Sequence, residues 1–201
     1  MKKKIQEKIN TIIESGLYFG GKSILKHKKL QEVVGHCKGL GLKIVLTQGS
    51  WDLIHIGHAR YMREAKKHGD LLIVGVDSDE KIRARKGPER PIVPQEERLE
   101  MVTHLRYVDL VALKELRDPK WFLIKLVRPD VLIVTKRQEY SKKEVQELKK
   151  YCGKIVILES QATTSTSAKI RRLQLNTAHK FEQALTPKLI RAIEEVFDGV
   201  K

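Results

Sequence analysis

Two histidines three residues apart, with a glycine between them, are the side chains in this sequence best suited to chemistry; they close the run Thr47-Gln-Gly-Ser-Trp-Asp-Leu-Ile-His-Ile-Gly-His58. At the start of a helix, positions i and i+3 share a face, so His55 and His58 can reach one phosphate group together. Gly57 has no side chain and lets an anion come close to the backbone. The unpaired N–H groups and positive dipole end of the helix add to that attraction. Gly49 permits a sharp turn out of the preceding strand beneath a nucleotide. Ser50 and Trp51 would line the floor, Trp51 by packing rather than by stacking on a base. Asp52 has two readings, a hydrogen-bond acceptor for backbone N–H groups of the turn or a direct magnesium ligand. An H-x-G-H pattern alone arises by chance. The glycine turn before it, the nearby aspartate and the strand–turn–helix setting make it a candidate phosphate site.

Such a turn needs a rigid frame, and the hydrophobic pattern supplies one. Residues 43–47, 71–76, 107–113, 130–135 and 154–159 are continuous apolar runs of strand length. Between them the spacing predicts helices over 59–67, 78–85, 95–105, 119–128 and 141–152, with a further helix at 166–174. Apolar strands alternating with amphipathic helices imply a parallel sheet covered on both faces. The expected fold is α/β, a doubly wound five-stranded parallel sheet, with ligands outside the carboxyl ends of the strands. Helical spacing at 2–15, 23–38 and 187–199 predicts short extensions at both termini. The domain division read from this is 1–24, 25–175 and 176–201.

Composition narrows the class. The chain has 201 residues, and no apolar run approaches the length of a membrane span. The basic start is broken by Glu7, Lys8, Asn10 and Glu14, which leaves no apolar block of a secretion signal. Cys37 and Cys152 stand alone, without metal-ligand spacing, as free thiols of a reducing compartment. A cytoplasmic protein is expected. The net charge of +15, from 40 Lys and Arg against 25 Asp and Glu, attracts polyanions. The cations are spread along the chain, however, with dense clusters at 2–4, 26–29 and 83–90, and no glycine-aromatic RNA-binding pattern accompanies them. Nucleic acid is therefore not the expected partner.

Beyond the histidine turn, several segments resemble one known superfamily. Val76-Asp77-Ser78-Asp79, Arg85-Lys86-Gly87, Arg90-Pro91-Ile92 with Pro94, Glu97-Arg98, Arg106-Tyr107-Val108-Asp109 and Thr164-Ser165-Thr166-Ser167 follow the pattern of the H-x-G-H nucleotidyltransferases. The likeness covers about residues 25–175 and is strongest to heptose-1-phosphate adenylyltransferase domains and glycerol-3-phosphate cytidylyltransferase. The resemblance implies that His55 and His58 bind the triphosphate and stabilise the transition state at the α-phosphorus. It implies that Lys86 neutralises the β and γ phosphates or the substrate phosphate, with Arg83, Arg85, Arg90 and Arg98 as further candidates for that anion. Ser165, Thr166 and Ser167 would offer hydroxyls and helix N-terminal amides to the nucleotide, a role compatible with ordinary capping. A magnesium ion would bridge the departing pyrophosphate.

Two departures bear on specificity. The glycines of the heptose enzymes after the fourth strand are replaced in Val134-Thr135-Lys136-Arg137-Gln138-Glu139-Tyr140, which gains two cations, so the acceptor and the base stay open. Ser160 stands where the cytidylyltransferase has an arginine, which favours ATP over CTP. The expected function is transfer of an adenylyl, or alternatively cytidylyl, group to a phosphorylated small molecule such as a sugar or polyol phosphate. The alternatives are a nucleotide- or RNA-binding module without catalysis, and a related enzyme forming FAD, NAD or CDP-alcohol products. The terminal helices would either pair two copies as a homodimer or pack on the sheet.

Overall fold

The computed structural model describes residues 18–19, 22–24, 26–135, 140–159, 161 and 166–198. By its internal contacts the chain divides into two units, residues 1–162 and 163–201. In the first, β3 (Ile44–Gly49) leads through a turn into α2 (Ile56–Lys66), then β4 (Leu71–Asp77), α3 (Asp79–Lys86) and α4 (Gln95–Thr103). There follow β5 (Leu110–Lys114), α5 (Phe122–Val127), β6 (Val131–Thr135), α6 (Lys142–Leu148) and β7 (Lys154–Leu158). Preceding them are β1 (Tyr18–Phe19), β2 (Lys22–Ile24) and α1 (His27–Gly39). The sheet order is β1-β2-β5-β4-β3-β6-β7.

The five expected strands are present and pair in parallel throughout. In β3 to β6 the apolar runs are continuous because both faces are covered, whereas β7 at the sheet edge leaves Ile157 exposed. Ile44, Leu46, Leu71, Ile73 and Leu132 enter one core with Leu30, Val33, Leu123 and Ile124 from α1 and α5. The intervening Val45, Leu72, Val74 and Ile133 enter the other with Tyr61, Met62 and Ala65 of α2 and Leu99 and Val102 of α4. Each such side chain contributes about 1.5–3 kcal/mol by leaving water, so the frame around the turn is rigid. From β3 the order runs through β4 to β5 on one side and through β6 to β7 on the other. That reversal makes the carboxyl end of β3 a topological switch point, the usual ligand crevice of open α/β sheets.

Three expectations need correction. The sheet has seven strands, because β2 pairs parallel with β5 and β1 pairs antiparallel with β2. Residues 23–24, read as the start of a helix, therefore extend the sheet, and the helix begins at His27. The open edge of β5 offers backbone groups that pattern in one segment cannot reveal. In the second unit, the two helices expected at 166–174 and 187–199 are one helix, α7 (Thr166–Asp198), with Pro187 inside it. A proline withholds one donor, while the i→i−4 bonds on either side can continue. The helix expected at 2–15 lies outside the described residues.

Candidate active site

The histidine turn is held by its own backbone. His55 is the N-cap of α2, in extended conformation, and its Nδ1 accepts a hydrogen bond from the Gly57 N–H at 3.0 Å. His58 Nδ1 accepts in return from the His55 N–H at 3.3 Å. This is a capping box with two imidazoles in place of the usual hydroxyl and carboxylate. The Gly57 N–H, expected to meet an anion, is thus taken by a ring, since the first-turn donors of a helix require partners. Because each Nδ1 lone pair is used, the hydrogen of each neutral ring sits on Nε2. The ring centroids are 4.1 Å apart at 31°. Two Nε2–H donors held side by side suit the oxygens of one phosphoryl group.

Trp51 forms the floor. Its backbone is left-handed (φ 51°), its ring is buried, and Nε1–H donates to the Gly75 carbonyl at 2.9 Å. A Cβ on Gly49 would come within 3.1 Å of the ring, so glycine there lets the tryptophan lie under the turn. The Trp51 ring meets His58 edge-on at 5.6 Å. Tyr61 lies 5.9 Å from Trp51 and shares a 2.8 Å hydrogen bond with Thr47 Oγ1; burial pushes its phenol up to about 12.

Long-range contacts bring the basic loop to the turn. Lys86, the last residue of α3, donates from Nζ to Ser50 Oγ at 2.8 Å. Partial desolvation, then the neighbouring Arg85 and Arg90 guanidinium groups, hold its ammonium below the usual lysine range. Arg83 is exposed on the same helix. Asp52 follows the backbone-bonding reading. Oδ1 and Oδ2 accept from the N–H groups of Ile92 and Val93 at 3.0–3.2 Å, and Oδ2 also accepts from Arg90 Nε at 2.9 Å and Nη2 at 2.5 Å. Burial alone would raise this carboxyl; the Val93 and Ile92 N–H groups and Arg90 outweigh it and hold it below the usual range. Arg90, expected among the substrate-phosphate candidates, is thereby committed to Asp52 through two of its nitrogens.

Arg98 departs from its expected role as a phosphate ligand. Its side chain is only 1% exposed. Nε donates to the Val93 carbonyl at 2.9 Å, Nη1 to the Ser50 carbonyl at 2.5 Å and Nη2 to Asp79 Oδ1 at 2.7 Å. A buried guanidinium with all three nitrogens engaged is structural. It ties the turn, the loop before α4 and the start of α3 into one piece. Both backbone groups of Val93 are claimed by charged side chains, its N–H by Asp52 and its C=O by Arg98.

Two charged residues at this end of the sheet carried no role in the sequence reading. Asp77 and Lys114, the last residues of β4 and β5, are register partners. Lys114 Nζ donates to Asp77 Oδ1 and Arg85 Nη2 to Asp77 Oδ2, both at 3.0 Å. Apolar runs ending on opposite charges, LLIVGVD and LVALK, were the available signal. Their pairing was not, because it depends on strand order. Of the nucleotide residues expected on α7, Ser165 lies outside the described residues, while Thr166 and Ser167 open that helix in the second unit. Residues 136–139 of the variant loop are also outside the described residues.

The chain is 40% identical over 133 residues to the bifunctional protein HldE of a Nitratiruptor species, which covers 65% of this chain and 28% of that protein. It is 39% identical over 153 residues to the bifunctional protein HldE of Wolinella succinogenes, covering 75% and 31%. The chain thus spans about three tenths of the length of these curated relatives. Among solved structures, the lipopolysaccharide core biosynthesis protein from Thermoplasma volcanium is 31% identical with a TM-score of 0.52, covering 60% of this chain and 98% of that one. The pantoate-beta-alanine ligase from Francisella tularensis, at 14% identity and a TM-score of 0.54 over 69% of this chain and 66% of that one, shares the fold alone. The cytidylyltransferase-like family model matches residues 46–191, from the strand beneath the histidine turn into the last helix, and the chain belongs to that family.

Proposed function

We propose that this chain transfers an adenylyl group from ATP to a phosphorylated small molecule, such as a sugar or polyol phosphate, and releases pyrophosphate. The observation that carries this reading is the pair of imidazoles fixed through Nδ1 to the backbone, with Lys86 joined to Ser50 on the same turn. An oxygen of the acceptor phosphate attacks the α-phosphorus in line. The new P–O bond forms as the bond to the β-bridging oxygen breaks, and pyrophosphate leaves with that electron pair. The attacking oxygen is already anionic near neutral pH, so no catalytic base is required. The Nε2–H groups of His55 and His58 meet the charge that grows on the α-phosphoryl oxygens; preorganised donors of this kind are each worth about 3 kcal/mol. Lys86 neutralises the departing phosphates, while positioning supplies the rest.

The donor set does not fit a resident metal ion. Among the described residues no group of three or more His, Cys, Asp or Glu side chains is placed to hold one. Both oxygens of Asp52 serve Arg90 and the N–H groups of Ile92 and Val93. Magnesium belongs with the triphosphate as part of the nucleotide substrate, and Asp52 serves the loop. We place the reaction in the cytoplasm, where nucleoside triphosphates are supplied; among the described residues no helix is long and apolar enough to cross a membrane.

A panel of sugar, polyol and nucleoside phosphates with ATP or CTP and magnesium, read by pyrophosphate release, tests the proposal. Release with ATP and a sugar or polyol phosphate is expected. Release with CTP alone would shift the base. Nucleotide binding without release for any acceptor would leave a binding module.

A further inference from the structure

The carboxyl ends of β4 and β5 hold more positive charge than the histidine turn uses. Asp77 is 1% exposed, and its two oxygens are divided between Lys114 and Arg85. Lys81, also on α3, donates from Nζ to the Glu115 carbonyl at 2.9 Å, and Lys86 ends the helix. Three cations (Lys81, Arg85 and Lys114) are thus gathered about one buried carboxylate, with Lys86 beside them at Ser50 and the charge of Asp52 matched by Arg90. Like charges gathered on a partly desolvated surface weaken the fold unless an anion joins them.

Donors remain for such an anion. An ammonium has three N–H groups and a guanidinium five, while Asp77 accepts one bond from each of Lys114 and Arg85. The two side chains are 18% and 51% exposed, so solvent reaches both. The place of Lys114 also separates it from the triphosphate grip. With the order β5-β4-β3, the end of β5 lies two strands from the turn, roughly 10 Å at the usual strand spacing. Lys86 is placed on the near side at Ser50 and Lys114 on the far side.

We propose that Lys114 and Arg85, braced on Asp77, form the anion site that takes the phosphate monoester of the acceptor. The assignment rests on the nucleotidyl-transfer reading above. Lys114 and Arg85 are binding residues in this scheme, and Asp77 is a positioning residue that keeps the two cations apart and aimed.

The test uses the full chain and the variants Lys114→Met and Arg85→Gln. KM for ATP and for the best acceptor of the panel is measured, and binding of inorganic phosphate is titrated by calorimetry, which needs no turnover. Loss of a charged hydrogen bond predicts an acceptor KM raised by about tenfold to a hundredfold and phosphate binding weakened as much. KM for ATP should stay within about twofold, since no nucleotide contact is removed. Asp77→Asn should raise the acceptor KM with kcat little changed, and Asp77→Glu should restore part of it. Equal rises in both KM values would assign the cluster to the triphosphate and overturn the proposal. Unchanged acceptor KM and phosphate binding would leave Asp77 as a tie between strand ends and overturn it too. Were no acceptor turned over, the parent reading would fail while the calorimetric arm still decided this one. Arg85→Gln, at an exposed position, covers the case in which Lys114→Met does not fold.

Discussion

The histidine turn and the basic loop meet at Ser50, yet they are built in opposite ways. In the turn, the bonds that aim the rings join residues two and three apart, His55 with Gly57 and His58 with His55. In the loop, the bonds span 36 residues from Lys86 to Ser50, 38 from Arg90 to Asp52 and 48 from Arg98 to Ser50. A locally built device depends on its helix end; a remotely built one depends on the whole fold. Changes in the two regions should therefore fail differently, the loop by losing structure and the turn by losing rate.

The largest effect is expected at Arg98. Arg98→Leu leaves Asp79 without its buried partner and two carbonyls without donors. The Asp79 carboxylate left behind is 22% exposed, so the cost is about 3 kcal/mol, the low end for a buried pair broken on one side, to be read as a lower midpoint in urea denaturation. A variant as stable as the parent would show that the loop is not braced from inside. Next comes His58→Ala, expected to lower kcat by about a hundredfold or more while costing the cap only about 1 kcal/mol. If its loss of activity were matched by an equal loss of stability, the contrast between the regions would disappear.

The smallest and sharpest test is acid titration. Asp52 and Asp77 both have carboxyls held below the usual range in the folded chain, against burial that acts the other way. Groups of this kind add stability above the unfolded carboxylate value, near pH 4, and lose it as pH falls through the lower folded value. Urea midpoints at pH 5 and pH 3 should fall more steeply for the parent than for Asp52→Asn, which has no carboxyl to protonate there. Identical slopes would detach Asp52 from the loop's stability.

These contrasts explain what was legible in the sequence. The histidine turn could be read because its spacing, its glycine and its helix start lie within one dozen residues. The central strands could be read because strands buried on both faces must be continuously apolar, as Ile44-Val45-Leu46 and Leu71-Leu72-Ile73-Val74 are. Arg98 could not be placed: a guanidinium after a proline-rich loop looks the same whether it faces a phosphate or the interior. β2 was hidden because three residues acquire strand geometry only beside the open edge of β5.

The amino-acid order by itself determined the class of fold, the position of the histidine turn and the family to which the motifs point, since those rest on period and spacing along one chain. Only the tertiary structure decided that Asp52 and Arg98 are braces, that Arg90 is committed to Asp52 and that Lys114 stands beside Asp77. Those outcomes depend on which strand ends become neighbours, and charge pairing at close range is governed by distance in space, to which distance along the chain is no guide.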